Sequence, residues 1–94
     1  MFELNQKLIE KFGEMALYDI AMEESAEFLQ AVNKIKRHGQ SHERLLNLAL
    51  EIADIEIVIA RLKEQFILDY DVNYFRTKKI NELNKIVEVK NDWI

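Results

Sequence analysis

Residues 20–32 read IAMEESAEFLQAV. Wound as an α-helix at about 100° per residue, this run places Ile20, Phe28, Ala31 and Val32 on one face. Glu23 and Gln30 turn away from that face. Glu24 does not: it falls between Ile20 and Phe28, inside the apolar stripe. Glu27 lies on the edge of the stripe three residues further on, and residues three apart are neighbours on a helix. The two carboxylates therefore point into the same space. A buried ionised carboxylate is costly unless it is paired or bound to a cation, so the stretch asks what positive group answers it.

Working outward, the stripe continues through Leu17, Ala21 and Ile35, and the pattern predicts a helix over residues 14–37. Gly13 separates it from a shorter helix over residues 2–11. After it, RHGQSH (37–42) makes a break, with Gly39 placed to end one helix and Ser41 to cap the next. A third helix is expected over residues 42–66. LDYDVNY (68–74) interrupts, with Asp69 or Asp71 able to cap a fourth helix over residues 72–89, and KNDWI forms a tail whose Trp93 and Ile94 dock or fray. The chain has 94 residues, no proline and two glycines, too few turn formers for a strand-rich fold of this size. The expectation is a single all-α, four-helix domain spanning residues 1–94.

The third helix has two apolar sides. Leu45, Leu48, Ile52, Ile55, Ile59, Leu62 and Phe66 form one; Leu46, Leu50, Ala53, Ile57 and Ala60 form another. A helix apolar on two sides is buried on two sides. In so short a chain one of them is expected to meet another subunit. Between the two runs a polar strip of Asn47, Glu51, Asp54, Arg61 and Gln65.

Glu51 and Asp54 are again three apart. Two helices thus each offer a carboxylate pair, E24-S-A-E27 and E51-I-A-D54. Four converging acids repel, and a divalent metal resolves the conflict. Mg²⁺ takes oxygen ligands and keeps several waters, which suits carboxylates from two helices together with substrate phosphates; Mn²⁺ is a natural substitute. Either pair alone is a weak signal, since acids are common on solvated helix faces and Lys34, Arg37 or Arg61 can neutralise them. Two pairs on neighbouring helices, one intruding on an apolar stripe, form a stronger one.

Composition excludes several classes. There is no cysteine, so no disulfide framework and no thiolate metal site. Seventeen acids against thirteen lysines and arginines, a net charge of −4, offer no basic surface to a nucleic-acid backbone. No run approaches the roughly 18 apolar residues of a membrane span, and the N-terminal MFELNQKLIEKFGEM lacks the apolar core of a signal peptide. The expectation is a cytoplasmic protein with neither membrane nor nucleic-acid partner.

E23-E24-S-A-E27-F-L-Q-A-V, the basic K34-I-K-R37 and E51-I-A-D54-I-E-I-V-I together resemble the MazG-like all-α nucleoside triphosphate pyrophosphohydrolases, whose hallmark is E-x-x-E followed after a short spacer by E-x-x-D. The likeness covers about residues 13–67 and continues more weakly through K79-I-N-E-L83. It implies a four-helix domain assembling into an oligomeric bundle, a homodimer or homotetramer with sites near subunit interfaces. It also implies Mg²⁺-dependent cleavage of a nucleoside triphosphate to monophosphate and pyrophosphate, in the service of nucleotide pool cleaning. Carried over residue by residue, Glu24, Glu27, Glu51 and Asp54 would be the metal ligands. Glu24 and Glu27 would include the group that helps deprotonate water, and Lys79 matches a basic position associated with phosphate contact. Lys34, Lys36 and Arg37 can steer phosphates by their charge, though a basic helix end also complements the macrodipole. Leu17 and Glu82 depart from the family, where glutamine and arginine are common. Phosphoribosyl-ATP pyrophosphohydrolase is the second reading, although it carries a histidine soon after the E-x-x-D, where this chain reads I55-E-I-V-I59.

The competing readings are plain ones. His38 and His42 flank the glycine break and read as solvated loop residues. Phe66, Tyr70, Tyr74, Phe75 and Trp93 can stack a base, yet aromatics at helical spacing more often serve a core or an interface. A non-catalytic helical interaction module would scatter the four acids to solvent; an enzyme would converge them on one pocket.

Overall fold

The computed structural model describes residues 1–91, and the side chains of residues 1–88. It is all-helical in this range: α1 (Phe2–Phe12), α2 (Glu14–His38), α3 (His42–Phe66) and α4 (Asp69–Asn91). The expected tail residues Trp93 and Ile94 lie outside the described residues. No helix among the described residues is long and apolar enough to cross a membrane.

Two glycines and one serine set the first three elements. Gly13 (φ 85°, ψ 165°) and Gly39 (φ 83°, ψ 176°) end α1 and α2 in a backbone region that is essentially reserved for glycine. Their amides close on Ile9 and Ile35 carbonyls at 2.8 Å. Ser41 caps α3 as expected, its hydroxyl accepting the Arg44 N–H at 3.1 Å. The Arg44 side chain then reaches back and donates to the His38 and Gly39 carbonyls, both at 3.2 Å. The tight loop folds α3 back along α2, and Tyr18 stacks on Phe66 at the far end, ring centroids 6.0 Å apart. α1 lies across that open end against both helices.

The fourth helix begins earlier than the sequence suggests. Val72 N–H already bonds the Leu68 carbonyl at 2.9 Å, so α4 starts at Asp69, and Asp71 sits inside its first turn rather than capping it. The reversal is confined to Ile67 and Leu68. Ile67 takes a left-handed conformation (φ 54°, ψ 57°), and the amides of Ile67 and Leu68 both return to the Lys63 carbonyl. A β-branched residue gives no sequence signal for that geometry. α4 then runs along none of the other three helices.

The α2–α3 seam also differs from expectation. The side of α3 against α2 mixes polar and apolar positions: Glu51 and Val58 are buried, and Leu48, Asp54, Ile55, Arg61, Leu62 and Gln65 are half-buried. The flanking apolar positions stand outside, with Leu45, Ile52, Ile59 and Phe66 exposed on one side and Leu46, Leu50 and Ile57 on the other. The fully packed apolar core is small, namely Leu17, Ala31 and Val58. Leu17, where the resembling family often has glutamine, is completely buried.

Ile67 is 88% exposed, so little apolar burial accompanies its left-handed backbone. That conformation costs an L-residue about 1–2 kcal/mol that glycine avoids. Ile67→Gly is expected to raise stability in urea unfolding by about 1 kcal/mol. Destabilisation instead would mean that Ile67 is held in contacts the single chain does not make.

Candidate metal centre

Glu24 and Glu51 occupy the middle of the seam, one from each helix. Each offers a carboxylate oxygen that, with one from Asp54, forms a set lying within 4.8 Å of one another. The Oε2 atoms of Glu24 and Glu51 are sealed from solvent and have no hydrogen-bond partner in the chain. Glu51 is 8% exposed. Burial raises the Glu24 carboxyl above its ordinary value, and Glu27, Asp54, Glu51 and Glu23 push it the same way. Burial likewise raises Glu51, reinforced by the charges of Glu27 and Asp54 and by a hydrogen bond with Glu27; Lys34 alone pulls it back. The donor set is entirely oxygen, half-buried and lacking an answering arginine, which is the chemistry of a hard divalent cation.

Glu27, half-buried, adds its charge to Glu51 but lies outside the close oxygen trio. Lys34 is close enough to act on Glu51 and lines a hollow of about 400 Å³ with Ser41, Glu43, Arg44 and Asn47. Arg37, on the last turn of α2, is exposed and does not line that hollow. Lys79 is exposed on α4 and is not brought to the acids within one chain. His38 and His42 are exposed, as are Tyr70, Tyr74 and Phe75.

The sequence reading offered Arg61 as a neutraliser of the acids, but the structure commits it elsewhere. Its Nε donates to Asn5 Oδ1 at 2.8 Å, and Asn5 Nδ2 donates to Gln65 Oε1 at 3.2 Å. Asn5, only 2% exposed, was not among the expected residues. A single asparagine in an amphipathic helix carries no signal of a partner 56 residues away.

One register organises these groups. Ile20, Glu27 and Lys34 are seven apart on α2; Asn47, Asp54 and Arg61 are seven apart on α3. Seven residues are nearly two turns, so each trio lies along one edge of its helix. The helices run antiparallel. Lys34 and Asn47 therefore share the hollow near the loop, Glu27 and Asp54 flank Glu51, and Ile20 and Arg61 share a second hollow near α1. Successive levels are separated by about 10 Å of helix. Along the seam, then, the hollow near the loop is charged and polar, the carboxylates lie at the middle level, and the hollow near α1 is apolar with one guanidinium.

Compared with known proteins, the chain matches no family model, no curated protein and no solved structure.

Raised carboxyl values fix the sign of a pH effect. The folded state holds protons on Glu24 and Glu51 that the unfolded chain has released, so these two groups' contribution to metal-free stability is greatest in acid. It falls as pH rises from the ordinary value of 4.5 through the raised folded values. Millimolar Mg²⁺ or Mn²⁺ should restore it above that window by binding the native state. Glu51→Gln is expected to stabilise the metal-free protein at neutral pH and blunt its Tm response to metal, as are Glu24→Gln and Asp54→Asn. An equal metal response in wild type and Asp54→Asn would remove these acids as ligands.

Proposed function

We propose that the chain is a Mg²⁺-dependent nucleoside triphosphate pyrophosphohydrolase of MazG-like type, acting as a homodimer or homotetramer. The observation that carries this reading is the meeting of Glu24, Glu51 and Asp54 oxygens at a buried seam, two of those residues with an orphaned oxygen. Three of the four acids meet at the seam, which supports the enzymatic reading over a helical interaction module that would scatter them.

Glu24, Glu51 and Asp54 would hold the metal, which when bound supplies charge neutralisation for a phosphoryl group and eases deprotonation of water. Glu27 lies beside this set and is the acceptor for the proton released as water attacks. Lys34, next to Glu51, meets negative charge on the phosphates. Cleavage breaks the anhydride between the first and second phosphates and gives monophosphate and pyrophosphate. Phosphoryl transfer rests chiefly on positioning and electrostatics, and the helices that carry these acids are rigid supports for both.

The surface supports an assembly. The chain exposes 7848 Å², about 2,100 Å² more than a compact monomer of 11.2 kDa. Its radius of gyration is 17.4 Å, against about 12 Å for a compact chain of this length. A standard interface takes about 800 Å² from each partner and obligate homodimers take more, so a second copy accounts for the excess. The outer sides of α3, the line of Met15, Met22 and Leu29 on α2, and α4 are the surfaces left for it. In such an assembly α4, which packs along no other helix of its own chain, is the element able to bring Lys79 to a neighbouring acid cluster.

The test is incubation with common nucleoside triphosphates and Mg²⁺ or Mn²⁺, with detection of pyrophosphate. Release from none of them ends the enzymatic reading. Glu24→Gln and Asp54→Asn should each lose about a hundredfold or more in turnover. Glu23→Gln, exposed one position away, should lose little.

Sedimentation velocity should find no compact monomer at micromolar concentration, and Leu50→Asp or Ile57→Asp should dissociate or unfold the assembly. A folded wild-type monomer under those conditions would refute the oligomer.

A further inference from the structure

We infer that the hollow at the Ile20–Arg61 level is the nucleobase end of the seam, and that Arg61 reads the base through a pair of acceptors on a keto purine. The inference rests on the nucleotide reading above but goes beyond it to base preference, which neither the acid cluster nor the resemblance specifies.

The hollow is about 240 Å³ and is lined by Leu8, Phe12, Ala16, Ile20 and Arg61. Four of the five are apolar, so the only group able to recognise polarity is the guanidinium. Arg61 is not a loose surface charge. Its Nε is fixed on buried Asn5, which is itself held to Gln65, so the plane of the fork is set from behind. Among the described residues no carboxylate lies within ion-pair distance of it. Arginine has five N–H donors. One is spent on Asn5, which leaves the terminal nitrogens as donors beside an apolar slot.

That combination selects a planar ring with adjacent acceptors. The O6 and N7 atoms of guanine or hypoxanthine match an arginine fork in two parallel hydrogen bonds. Adenine presents an amino group in place of O6, so one donor meets another. The order of the three levels along the α2–α3 seam sets the ligand's direction. Phosphates belong at the acid level and at Lys34, and the opposite end, about 10 Å along the helices, is apolar. Reversing the ligand would press phosphates against Leu8 and Ile20.

The experiment is calorimetric titration of the full chain, with Mg²⁺, using the monophosphates of guanosine, inosine and adenosine and, separately, inorganic pyrophosphate. Wild type should bind the guanosine and inosine nucleotides about tenfold or more tightly than the adenosine nucleotide. Arg61→Met should bring all three within about twofold, as should Arg61→Lys, which keeps the charge but loses the fork. Pyrophosphate affinity should be unchanged in both variants. Equal binding of the three nucleotides by wild type, no binding of any, or discrimination surviving in Arg61→Lys would overturn the inference. A loss of pyrophosphate binding in Arg61→Met equal to the nucleotide loss would make Arg61 a phosphate contact and overturn it too. The wild-type comparison stands even if Arg61→Met fails to fold. Base-selective binding without pyrophosphate release would sink the enzymatic reading alone; release from all bases alike, unaltered by Arg61→Lys, would sink this one alone.

Discussion

Carboxylates withdrawn from water at the α2–α3 seam are the constraint around which the chain is arranged. An ion in a protein interior carries a desolvation penalty of several kcal/mol that only good geometry and partners offset. Here two glutamates face each other across a helix pair with an aspartate beside them. Full burial of an aliphatic side chain is worth about 1.5–3 kcal/mol, and the seam fully buries only Leu17, Ala31 and Val58 as its apolar core. The protomer is thus built with little margin at its centre. Both proposed remedies come from outside the chain: a cation between the acids, and a second copy over the apolar sides of α3.

The loop turns this constraint into a register. Gly39 supplies a backbone conformation other residues resist, Ser41 starts α3, and Arg44 ties the new helix to the carbonyls ending the old one. Together they bring residue 34 level with residue 47, and the heptad spacing then brings 27 level with 54 and 20 with 61. Shifting α3 by one residue would rotate it by about 100° and carry Asp54 out of the seam. The loop, which bears no acid, therefore determines whether the acids meet.

Much of this was legible in the sequence, and the parts that were not fail for identifiable reasons. Glu24 announced itself because an acid in an apolar stripe breaks the helical period. Gly13, Gly39 and Ser41 announced the boundaries because their backbone and capping chemistry is distinctive. The start of α4 misled because Asp71 is a natural cap residue, whereas Ile67, which makes the reversal, is among the least expected types for a left-handed turn. The seam of α3 misled for another reason. Periodicity shows that a face is apolar but not what covers it: Leu48, Ile55 and Leu62 are half-buried beside the polar strip, while Leu45, Ile52 and Ile59 on one side and Leu46, Leu50 and Ile57 on the other are left outward. The Asn5–Arg61–Gln65 chain had no local signal, since its meaning arises only from contact between α1 and α3.

The same contact explains why Arg61 does not quench the acids. It lies on the same edge of α3 as Asp54, two turns away, and a long side chain free to swing could lean toward the carboxylates. Asn5 accepts its Nε and Gln65 holds Asn5, so the guanidinium is kept at the α1 end of the seam. An arginine paired with Glu24 or Asp54 would stabilise the seam without any metal and lower the raised carboxyl values that now mark it. Lys34 alone tempers Glu51, from the rim, leaving the orphaned oxygens unanswered. The buried asparagine on α1 thus acts at a distance on the electrostatics of the centre: by holding one cation away from the acids, it leaves their charge available to another.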